Sequence, residues 1–363
     1  MFEVLHEDNT TLARIGILHT AHGKLKTPVF MPVATKGSTK LLSNFDLEEI
    51  SIEAIIANAF LLYLRPGTDI IKKFGGLHKF MGWKKAIFTD SGGFQILRES
   101  MLIKNTENGV VLKSPFDGSK HLLTPELCIK IQNELGSDVA MQLDDVPKLN
   151  ATKHEIIESM RKTVEWAKRC KKAHKNKDQL LFCIGQGGFS KEFRAKCIAK
   201  LSKIGFDGYA IGGLCIGEPL NTTLEIAKFS SYLIPKNKPR YLMGVGSIKE
   251  LLECISYGID IFDSAFPTRM ARHGVAFIEN GKRIDLRNRK YAEDFGKLDE
   301  KCKCKICKRF SKAYIHHLFR VNELNALAYL SYHNVYKIQK LIEEARKQIK
   351  KGKFGEWKKD FLS

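Results

Sequence analysis

Short apolar runs rich in β-branched residues recur along the chain, each separated from the next by a turn and usually by a stretch of helical periodicity. This alternation is typical of a parallel sheet with crossover helices. Eight runs are predicted to be strands: residues 29–33, 54–57, 86–89, 139–143, 180–184, 208–211, 240–243 and 259–262. Five intervening stretches are predicted to be helices, several of them opened by Ser, Thr or Asn caps: residues 126–135, 154–174, 191–204, 222–233 and 248–257.

Eight such units predict an α/β fold of the closed (β/α)8 TIM barrel type. An open doubly wound sheet usually has fewer strands and a glycine-rich phosphate turn, which residues 32–37 resemble only faintly. Residues 98–124 interrupt the pattern after the third strand, and the segments 109–113 and 121–123 predict an inserted hairpin over the barrel mouth. Insertions of this length are often lids.

Polar residues follow several of the predicted strands. Asp90 and Ser91 follow the third strand, Asp144 the fourth, Gln186 the fifth and Asp263 the eighth. Barrel enzymes build their active sites at the carboxyl ends of the strands. Ordinary turns explain the glycines at these ends, but they explain poorly why carboxylates and an amide repeatedly occupy one rim. The pattern therefore predicts an active site on this rim.

Composition and charge narrow the class of protein. The 363 residues are 44% hydrophobic and no window approaches 18 uninterrupted apolar residues, so we expect a globular chain without membrane spans. There are 60 Lys and Arg residues against 40 Asp and Glu, which gives a net charge of +20. That balance suggests a polyanionic partner such as nucleic acid. A lysine-rich solvated surface would give the same charge, so charge alone does not decide.

Three of the nine cysteines cluster. The N-terminus lacks the basic start and apolar run of a secretory signal, so we expect a cytoplasmic protein with few disulfides. Cys302, Cys304 and Cys307 can point their thiols at one place, and thiolates select zinc over hard cations. The fourth ligand is left open among three downstream histidines: His316, His317 and His333.

Three cysteines and a histidine form a closed site, so we expect one structural Zn²⁺ per chain rather than a catalytic ion. Three free thiols in a basic loop are the alternative. The predicted organisation is a catalytic barrel over residues 1–285, a zinc-binding subdomain completing it over residues 286–350, and a basic C-terminal tail over residues 351–363.

The ordered motifs resemble those of a known family across nearly the whole chain. They begin with residues 27–33 (TPVFMPV), 64–67 (LRPG), 88–95 (FTDSGGFQ), 117–119 (DGS) and 141–145 (MQLDD). They continue with residues 185–188 (GQGG), 209–214 (YAIGGL), 243–246 (MGVG), 262–264 (FDS), 267–269 (PTR), 271–274 (ARHG) and the cysteine cluster with His333. The sequence resembles the tRNA-guanine transglycosylases, or queuine tRNA-ribosyltransferases, of the bacterial and eukaryotic type. This resemblance implies a (β/α)8 barrel with a zinc subdomain and His333 as the fourth zinc ligand.

The resemblance also implies a pentosyltransferase activity. Such enzymes exchange guanine at wobble position 34 of tRNAs with GUN anticodons (Asp, Asn, His and Tyr) for a 7-deazaguanine, without ATP. Exchange with retained configuration needs one carboxylate to attack the ribose and another to move protons. By the resemblance Asp263 is the nucleophile and Asp90 the proton donor and acceptor.

The remaining implied roles concern recognition of the base and the RNA. Asp144, Gln186 and Gly213 match base-recognition positions, with Ser91 and Leu214 beside them, and Phe94 and Met243 would sandwich the base. Thr268, Arg269 and Arg272 match contacts to the anticodon loop. Family members are usually homodimers, although a eukaryotic-like member would form a heterodimer.

Two features of the sequence bear on the incoming base. Residues 58–62 (NAFLL) depart from the usual Asn-Thr-Tyr-His-Leu, so the Thr, Tyr and His side chains are missing at Ala59, Phe60 and Leu61. Valine at position 146 matches eukaryotic members rather than the many bacterial members that have cysteine there. Residues 214–217, in contrast, lack the extra glycine that admits queuine, and Ile216 is bulky. We therefore favour 7-aminomethyl-7-deazaguanine over queuine.

Three rival functions follow from the same residues. An archaeosine-type transglycosylase would carry further C-terminal RNA-binding domains, and only thirty residues follow His333. A noncatalytic tRNA-binding partner subunit would be expected to have lost the catalytic pair, but Asp90 and Asp263 are both present. A barrel glycosidase could use the same carboxylates but would need neither the cysteine cluster nor the positive charge.

Overall fold

The structure, a computed structural model, describes residues 1–91 and 101–363. In chain order its strands are β1 (Phe2–Glu7), β2 (Arg14–Thr20), β3 (Gly23–Thr27), β4 (Val29–Pro32), β5 (Ala54–Asn58), β6 (Ala86–Asp90), β7 (Leu102–Asn105), β8 (Val110–Lys113), β9 (Lys120–Leu123), β10 (Val139–Met141), β11 (Leu180–Gly185), β12 (Gly208–Ile211), β13 (Arg240–Leu242), β14 (Ile261–Ser264), β15 (Val275–Phe277) and β16 (Arg283–Asp285).

The helices of the same ranges are α1 (Asn44–Glu49), α2 (Ala59–Leu64), α3 (Thr68–Lys73), α4 (Leu77–Met81), α5 (Pro125–Leu135), α6 (Lys153–Ala173), α7 (Lys191–Ile204), α8 (Leu220–Leu233), α9 (Ile248–Ser256), α10 (Phe266–Arg272), α11 (Lys305–Arg309), α12 (Lys312–Arg320), α13 (Leu324–Lys350) and α14 (Phe354–Leu362). None of them is both long and apolar enough to cross a membrane.

Eight parallel strands form the barrel, in the order β4-β14-β13-β12-β11-β10-β6-β5. Val33 bridges to Ile56 in parallel, and the Ala34 N–H donates to the Ile56 carbonyl at 2.7 Å, so the first two strands of the barrel also meet. Each strand lies within about two residues of its predicted position at either end. The predicted (β/α)8 barrel is therefore confirmed.

Alternation along the strands divides the buried residues into two clusters. Phe88 and Tyr241 lie in the cluster that fills the barrel, whereas Ile87 and Phe262 lie in the cluster between strands and helices. This is the period of two expected when one face of each strand points inward and the other meets a helix. The same alternation presents Tyr241 to the interior, where it reaches the active-site rim.

A three-stranded antiparallel sheet, which the sequence analysis did not predict, precedes the barrel. Strands β1, β2 and β3 pair in that order, and Phe2, Leu18 and Leu25 join the cluster that fills the barrel. Arg14 on β2 forms a buried ion pair with Asp260, 2.6 Å between Nη2 and Oδ2. The sheet therefore covers the end of the barrel opposite the carboxyl rim.

The insertion after the third barrel strand is also a sheet. Strands β8 and β9 form the predicted antiparallel hairpin, and β7 adds a third strand to it. Asn105 at the end of β7 donates to Asp145 at 2.5 Å, and the Lys162 ammonium lies 3.7 Å from the same carboxylate. The bond from Asn105 fixes the insertion to the barrel rim, and Lys162 on α6 supports the carboxylate that accepts it.

The C-terminal helices complete the molecule. The long helix α13 packs on α10 and β15, and Asn334 within it accepts from the Phe277 N–H and donates to the Pro267 and Val275 carbonyls. This amide fixes the segment that follows the last barrel strand. The residues after 350 form helix α14, whose Phe354 is fully buried.

Candidate active site and metal cluster

One cavity at the carboxyl rim brings most of the predicted site together. Its lining consists of Asp90, Ser91, Asp144, Val146, Ile184, Gly212, Gly213, Leu214 and Met243. Six of these residues were predicted to bind the base or to act in catalysis. Phe94, the other predicted neighbour of the base, lies outside the described residues.

Asp144 and Gln186 form a buried polar pair behind the cavity. The Gln186 Nε2 donates to Asp144 Oδ2 at 2.7 Å. Burial raises the pKa of Asp144 to about 7, although the bond from Gln186 opposes the rise. Among the described residues the buried Gln186 Oε1 has no hydrogen-bond partner. A buried acceptor without a donor is costly, so this oxygen stands out as an unsatisfied group next to the cavity-lining Asp144.

The Asp144–Gln186 pair requires a residue without a side chain at position 213, which is Gly213. Its φ is +65°, and a Cβ at this position would lie 2.4 Å from Gln186 Oε1. Any side chain would strain the backbone and displace the amide. The glycine thus leaves its backbone open toward the cavity while Gln186 stays in place.

Arg194, on α7, holds the turn that carries Gln186 and was not anticipated from the sequence. It is fully buried, and its guanidinium donates to the carbonyls of Gly188 at 2.9 Å and Gly185 at 3.0 Å. Burial lowers the pKa of Arg194 to about 10, so the group stays charged at neutral pH. These two charge-assisted bonds hold the carbonyls on either side of Gln186 and so fix the position of this residue.

Asp263 stands at the end of β14, with two donors on the same oxygen. The Tyr241 hydroxyl donates to Oδ1 at 2.6 Å and the Gly244 N–H at 3.1 Å. Burial raises the pKa of Asp263, and these two bonds oppose the rise. No hydrogen bond from another described residue reaches Oδ2. Oδ1 is therefore held by two donors, whereas Oδ2 accepts from none of the described residues.

Asp90 is one of the residues that line the cavity. It is half-buried at the end of β6, opposite Asn58 in the register of β5. Burial, then the charge of Asp263, then that of Asp90 raise the pKa of the Tyr241 hydroxyl well above its usual value. Both carboxylates therefore act on one interior hydroxyl. The sequence analysis did not predict Tyr241 as a site residue, because an aromatic residue in an apolar strand is usually part of the hydrophobic core.

The residues that depart from the family motif lie in the core. Ala59, Phe60 and Leu61 on α2 are almost fully buried, and the Phe60 ring packs edge-on against His121 of β9. Asn58 accepts from the Leu61 N–H at 2.8 Å and so begins the helix.

The three predicted RNA contacts share helix α10, which begins three residues after Asp263. The Arg272 Nη1 lies 3.4 Å from the Thr268 hydroxyl, and the Arg269 guanidinium stands over the Phe266 ring at 5.6 Å. Arg269 and Arg272 are partly exposed. The helix therefore carries two partly exposed cations shortly after Asp263 in the chain.

The predicted metal ligands form one buried cluster. The sulfurs of Cys302, Cys304 and Cys307 lie 3.8, 3.5 and 3.3 Å from Nδ1 of His333. Bonds from the other two thiols lower the pKa of Cys304.

His333 has the orientation that a metal ligand needs. Its Nε2 donates to the Phe277 carbonyl at 2.6 Å, so the proton sits there and leaves the Nδ1 lone pair for a metal. The other candidates are excluded, since His316 bonds the Leu286 carbonyl and His317 is exposed. Four soft or borderline donors around one point could hold a metal ion in a closed site.

Fold and site together define a barrel enzyme with paired carboxylates at its rim and a closed Cys3His cluster. Comparison with known proteins gives the family. Residues 8–363 match the family model described as queuine tRNA-ribosyltransferase. A protein of that name from Caldanaerobacter subterraneus subsp. tengcongensis is 49% identical over 362 residues, covering 99% of this chain and 96% of the relative.

Similar relatives occur in other bacteria. Queuine tRNA-ribosyltransferases of Fusobacterium nucleatum and Lysinibacillus sphaericus are 46% and 44% identical, over 98% and 99% of this chain and 96% and 95% of their own. The chain therefore belongs to the queuine tRNA-ribosyltransferase family, and the predicted pentosyltransferase class is confirmed.

Proposed function

We propose that this enzyme exchanges guanine at the wobble position of tRNAs with GUN anticodons for a 7-deazaguanine. The observation that carries the proposal is the rim cavity, which is lined by Asp90 and Asp144, with Gln186 bonded to Asp144 and with Asp263 at the end of the barrel strand β14. Two carboxylates can act on an anomeric carbon while the buried pair reads the edge of a base. The +20 charge and the cations of α10 suit an RNA substrate.

The proposed reaction has two displacements. Oδ2 of Asp263 attacks the ribose C1′, the glycosidic bond to guanine breaks, and Asp90 delivers a proton to the departing base. The incoming base then gives its proton to Asp90 and attacks C1′, which breaks the bond to Asp263. Two inversions at C1′ restore the configuration.

Base recognition follows from complementary donors and acceptors. The Asp144 carboxyl and the unpartnered Gln186 Oε1 offer acceptors to N–H groups of a guanine-like ring, and the Gly213 backbone lies beside them. Ser91 and Leu214 line the same cavity, and Met243 can cover one face of the ring. We assign the opposite face to Phe94.

The preferred incoming base is proposed to be 7-aminomethyl-7-deazaguanine. The turn after Leu214 is tightly held, since Glu218 accepts from the Cys215 N–H at 2.6 Å and from the Ile216 N–H at 2.9 Å. Cys215 has a φ of +60°, so the turn has little freedom to make room for a bulky substituent. A small aminomethyl group suits this pocket better than the cyclopentenediol of queuine.

We also propose that zinc fills the Cys302, Cys304, Cys307 and His333 cluster. The ion would tie the loop before α11 to α13, and because the site is closed it takes no part in the exchange. The proposed assembly is a cytoplasmic homodimer. The barrel, zinc-binding and tail divisions at residues 285 and 350 remain our proposed organisation of the chain.

The test is incorporation of labelled guanine into unmodified GUN tRNAs, followed by separate chases with 7-aminomethyl-7-deazaguanine and queuine. We expect incorporation, displacement by the aminomethyl base, and a covalent RNA adduct. Asp263→Asn should abolish exchange and adduct, whereas Asp178→Asn, at an exposed carboxylate, should preserve both. A surviving adduct would move the nucleophile elsewhere, and no incorporation into any tRNA would overturn the proposed activity.

A further inference from the structure

Two cations meet at one aromatic ring near the carboxyl ends of β4 and β5. Phe116 lies at the tip of the β8–β9 hairpin, between Lys113 and Lys120. The Lys36 ammonium lies 5.0 Å from the centroid of this ring, and the Arg65 guanidinium carbon lies 4.5 Å from it. Both cations are exposed, whereas Phe116 is half-buried. The tip of the insertion therefore gathers positive charge.

The order of the barrel strands places this ring on a particular part of the rim. Lys36 follows Val33, which bridges to β5, and Arg65 directly follows helix α2, which itself begins after β5. Strands β4 and β5 are neighbours, and they lie between β14, which carries Asp263, and β6, which ends at Asp90. The two cations therefore stand on the part of the rim that separates the proposed nucleophile from the proposed proton donor.

A second contact holds the hairpin against this part of the rim. The His121 ring on β9 packs edge-on against the rings of Phe60 and Tyr63 on α2, with centroids 6.0 and 6.2 Å away. The hairpin is therefore fixed to the helix that ends at Arg65. The approach of Phe116 to the two cations follows from this packing as well as from the attraction between a cation and a ring.

The two charges are not neutralised by carboxylates of the residues that the structure describes. Neither Lys36 nor Arg65 forms an ion pair there, and an aromatic ring attracts cations without carrying a net charge. The nearby carboxylate of Asp117 is engaged in its own turn, where Oδ1 accepts from the Ser119 N–H at 3.1 Å and from its hydroxyl at 2.7 Å. Like charges held at one ring repel each other, so an anion between them is bound favourably.

The hairpin adds two further cations. Lys113 and Lys120 lie directly opposite each other in the register of β8 and β9, and both are exposed. Neither forms an ion pair with a carboxylate in the described part of the chain. Like charges directly opposite each other destabilise an antiparallel pair of strands. Fold stability alone does not account for this pairing, whereas an anionic ligand at the hairpin tip makes it favourable.

We propose that Lys36 and Arg65, gathered at the Phe116 ring, bind a backbone phosphate of the tRNA beside the nucleotide whose base is exchanged. This inference rests on the proposed function and gives the RNA a second cationic contact besides helix α10. A guanidinium and an ammonium suit phosphate oxygens, and their neutralisation of phosphate releases counterions from the RNA. Contacts of this kind position the RNA without reading its sequence.

The test compares the affinity for unmodified tRNA with a GUN anticodon at several salt concentrations. Lys36→Gln and Arg65→Gln should each raise the Kd about fivefold and lower the slope of log K against log salt by about 0.7–0.9. Because neither cation touches the reacting atoms, kcat at saturating tRNA should stay unchanged. Lys36→Arg keeps the charge and should bind tRNA like the unsubstituted protein.

The matched control is Lys203→Gln, which makes the same change of charge at an exposed lysine near the end of α7. Helix α7 begins after the carboxyl end of β11 and runs toward the opposite end of the barrel, so the control should keep the unsubstituted Kd. An equal loss for Lys203→Gln, or an unchanged Kd for both Lys36→Gln and Arg65→Gln, would show that the patch is an ordinary solvated surface.

Guanine exchange by the unsubstituted protein is measured on the same tRNA. Absence of exchange there would count against the proposed function and, with it, against this contact. Exchange by the unsubstituted protein together with unaltered binding by the variants would count against the contact alone.

Discussion

The hydroxyl of Tyr241 should control the ionisation and aim of the proposed nucleophile. Tyr241→Phe removes the 2.6 Å bond to Asp263 Oδ1 and leaves the Gly244 N–H as the other donor. The ring is fully buried and packs against Phe88, so the phenylalanine keeps the packing of the barrel interior. The perturbation is therefore almost entirely the loss of one charge-assisted hydrogen bond.

The magnitude follows from that bond. A hydrogen bond to a charged group contributes about 1.5–3 kcal/mol, and each 1.4 kcal/mol is about a factor of ten in rate. We expect base exchange to fall by roughly 10- to 100-fold at neutral pH. Because the bond opposes the burial that raises the pKa of Asp263, its removal should raise that pKa further. The acidic limb of the pH–rate profile should therefore move to higher pH.

The assay is single-turnover guanine exchange with saturating tRNA between pH 5.5 and 9. Part of the lost rate should return at high pH, where Asp263 is ionised again. Tyr209→Phe on the neighbouring strand β12 is the matched control, since that side chain packs against Phe206 in the outer cluster. An unchanged profile and rate for Tyr241→Phe would refute the reasoning, and a loss equal at every pH would limit Tyr241 to orientation.

Three further predictions concern stability. The pKa of Asp144 is raised from 3.8 to about 7, so between these pH values the carboxyl ionises in the unfolded state but stays protonated in the folded state, and stability falls as pH rises. Asp144→Asn should therefore stabilise the fold by about 4 kcal/mol at pH 8 and about half of that at pH 5.5, while weakening base exchange; a difference independent of pH in urea unfolding would contradict this. Cys304→Ser should remove bound zinc and lower Tm by on the order of 10 °C, which calorimetry with metal analysis measures; full Tm without metal would argue against a structural ion. Arg14→Met leaves buried Asp260 without its cation and should cost about 3–5 kcal/mol in urea unfolding; a cost below about 1 kcal/mol would show that the pair is dispensable.

The sequence by itself determined the barrel. Eight apolar runs and their intervening amphipathic stretches already specify strands buried on both faces, because a parallel strand in a barrel has no solvated side. The positions of Asp90, Asp144 and Asp263 follow from the same pattern, since polar residues that directly follow such strands must lie at one rim. The spacing of the three cysteines likewise limits them to one turn.

The tertiary structure decided what these residues do to one another. Only the closure of the barrel places Tyr241 on Asp263, and only the packing of α7 brings Arg194 under the turn of Gln186. Helix packing identifies His333 rather than His316 or His317 as the fourth member of the cluster, because it buries the His333 imidazole among the thiols. The β1–β3 sheet was missed because its outer strands β1 and β3 are short and mostly exposed, and because its pairing depends on the barrel that it covers. Periodicity reports which face of an element is buried, whereas partners distant in the chain depend on packing geometry that no local pattern encodes.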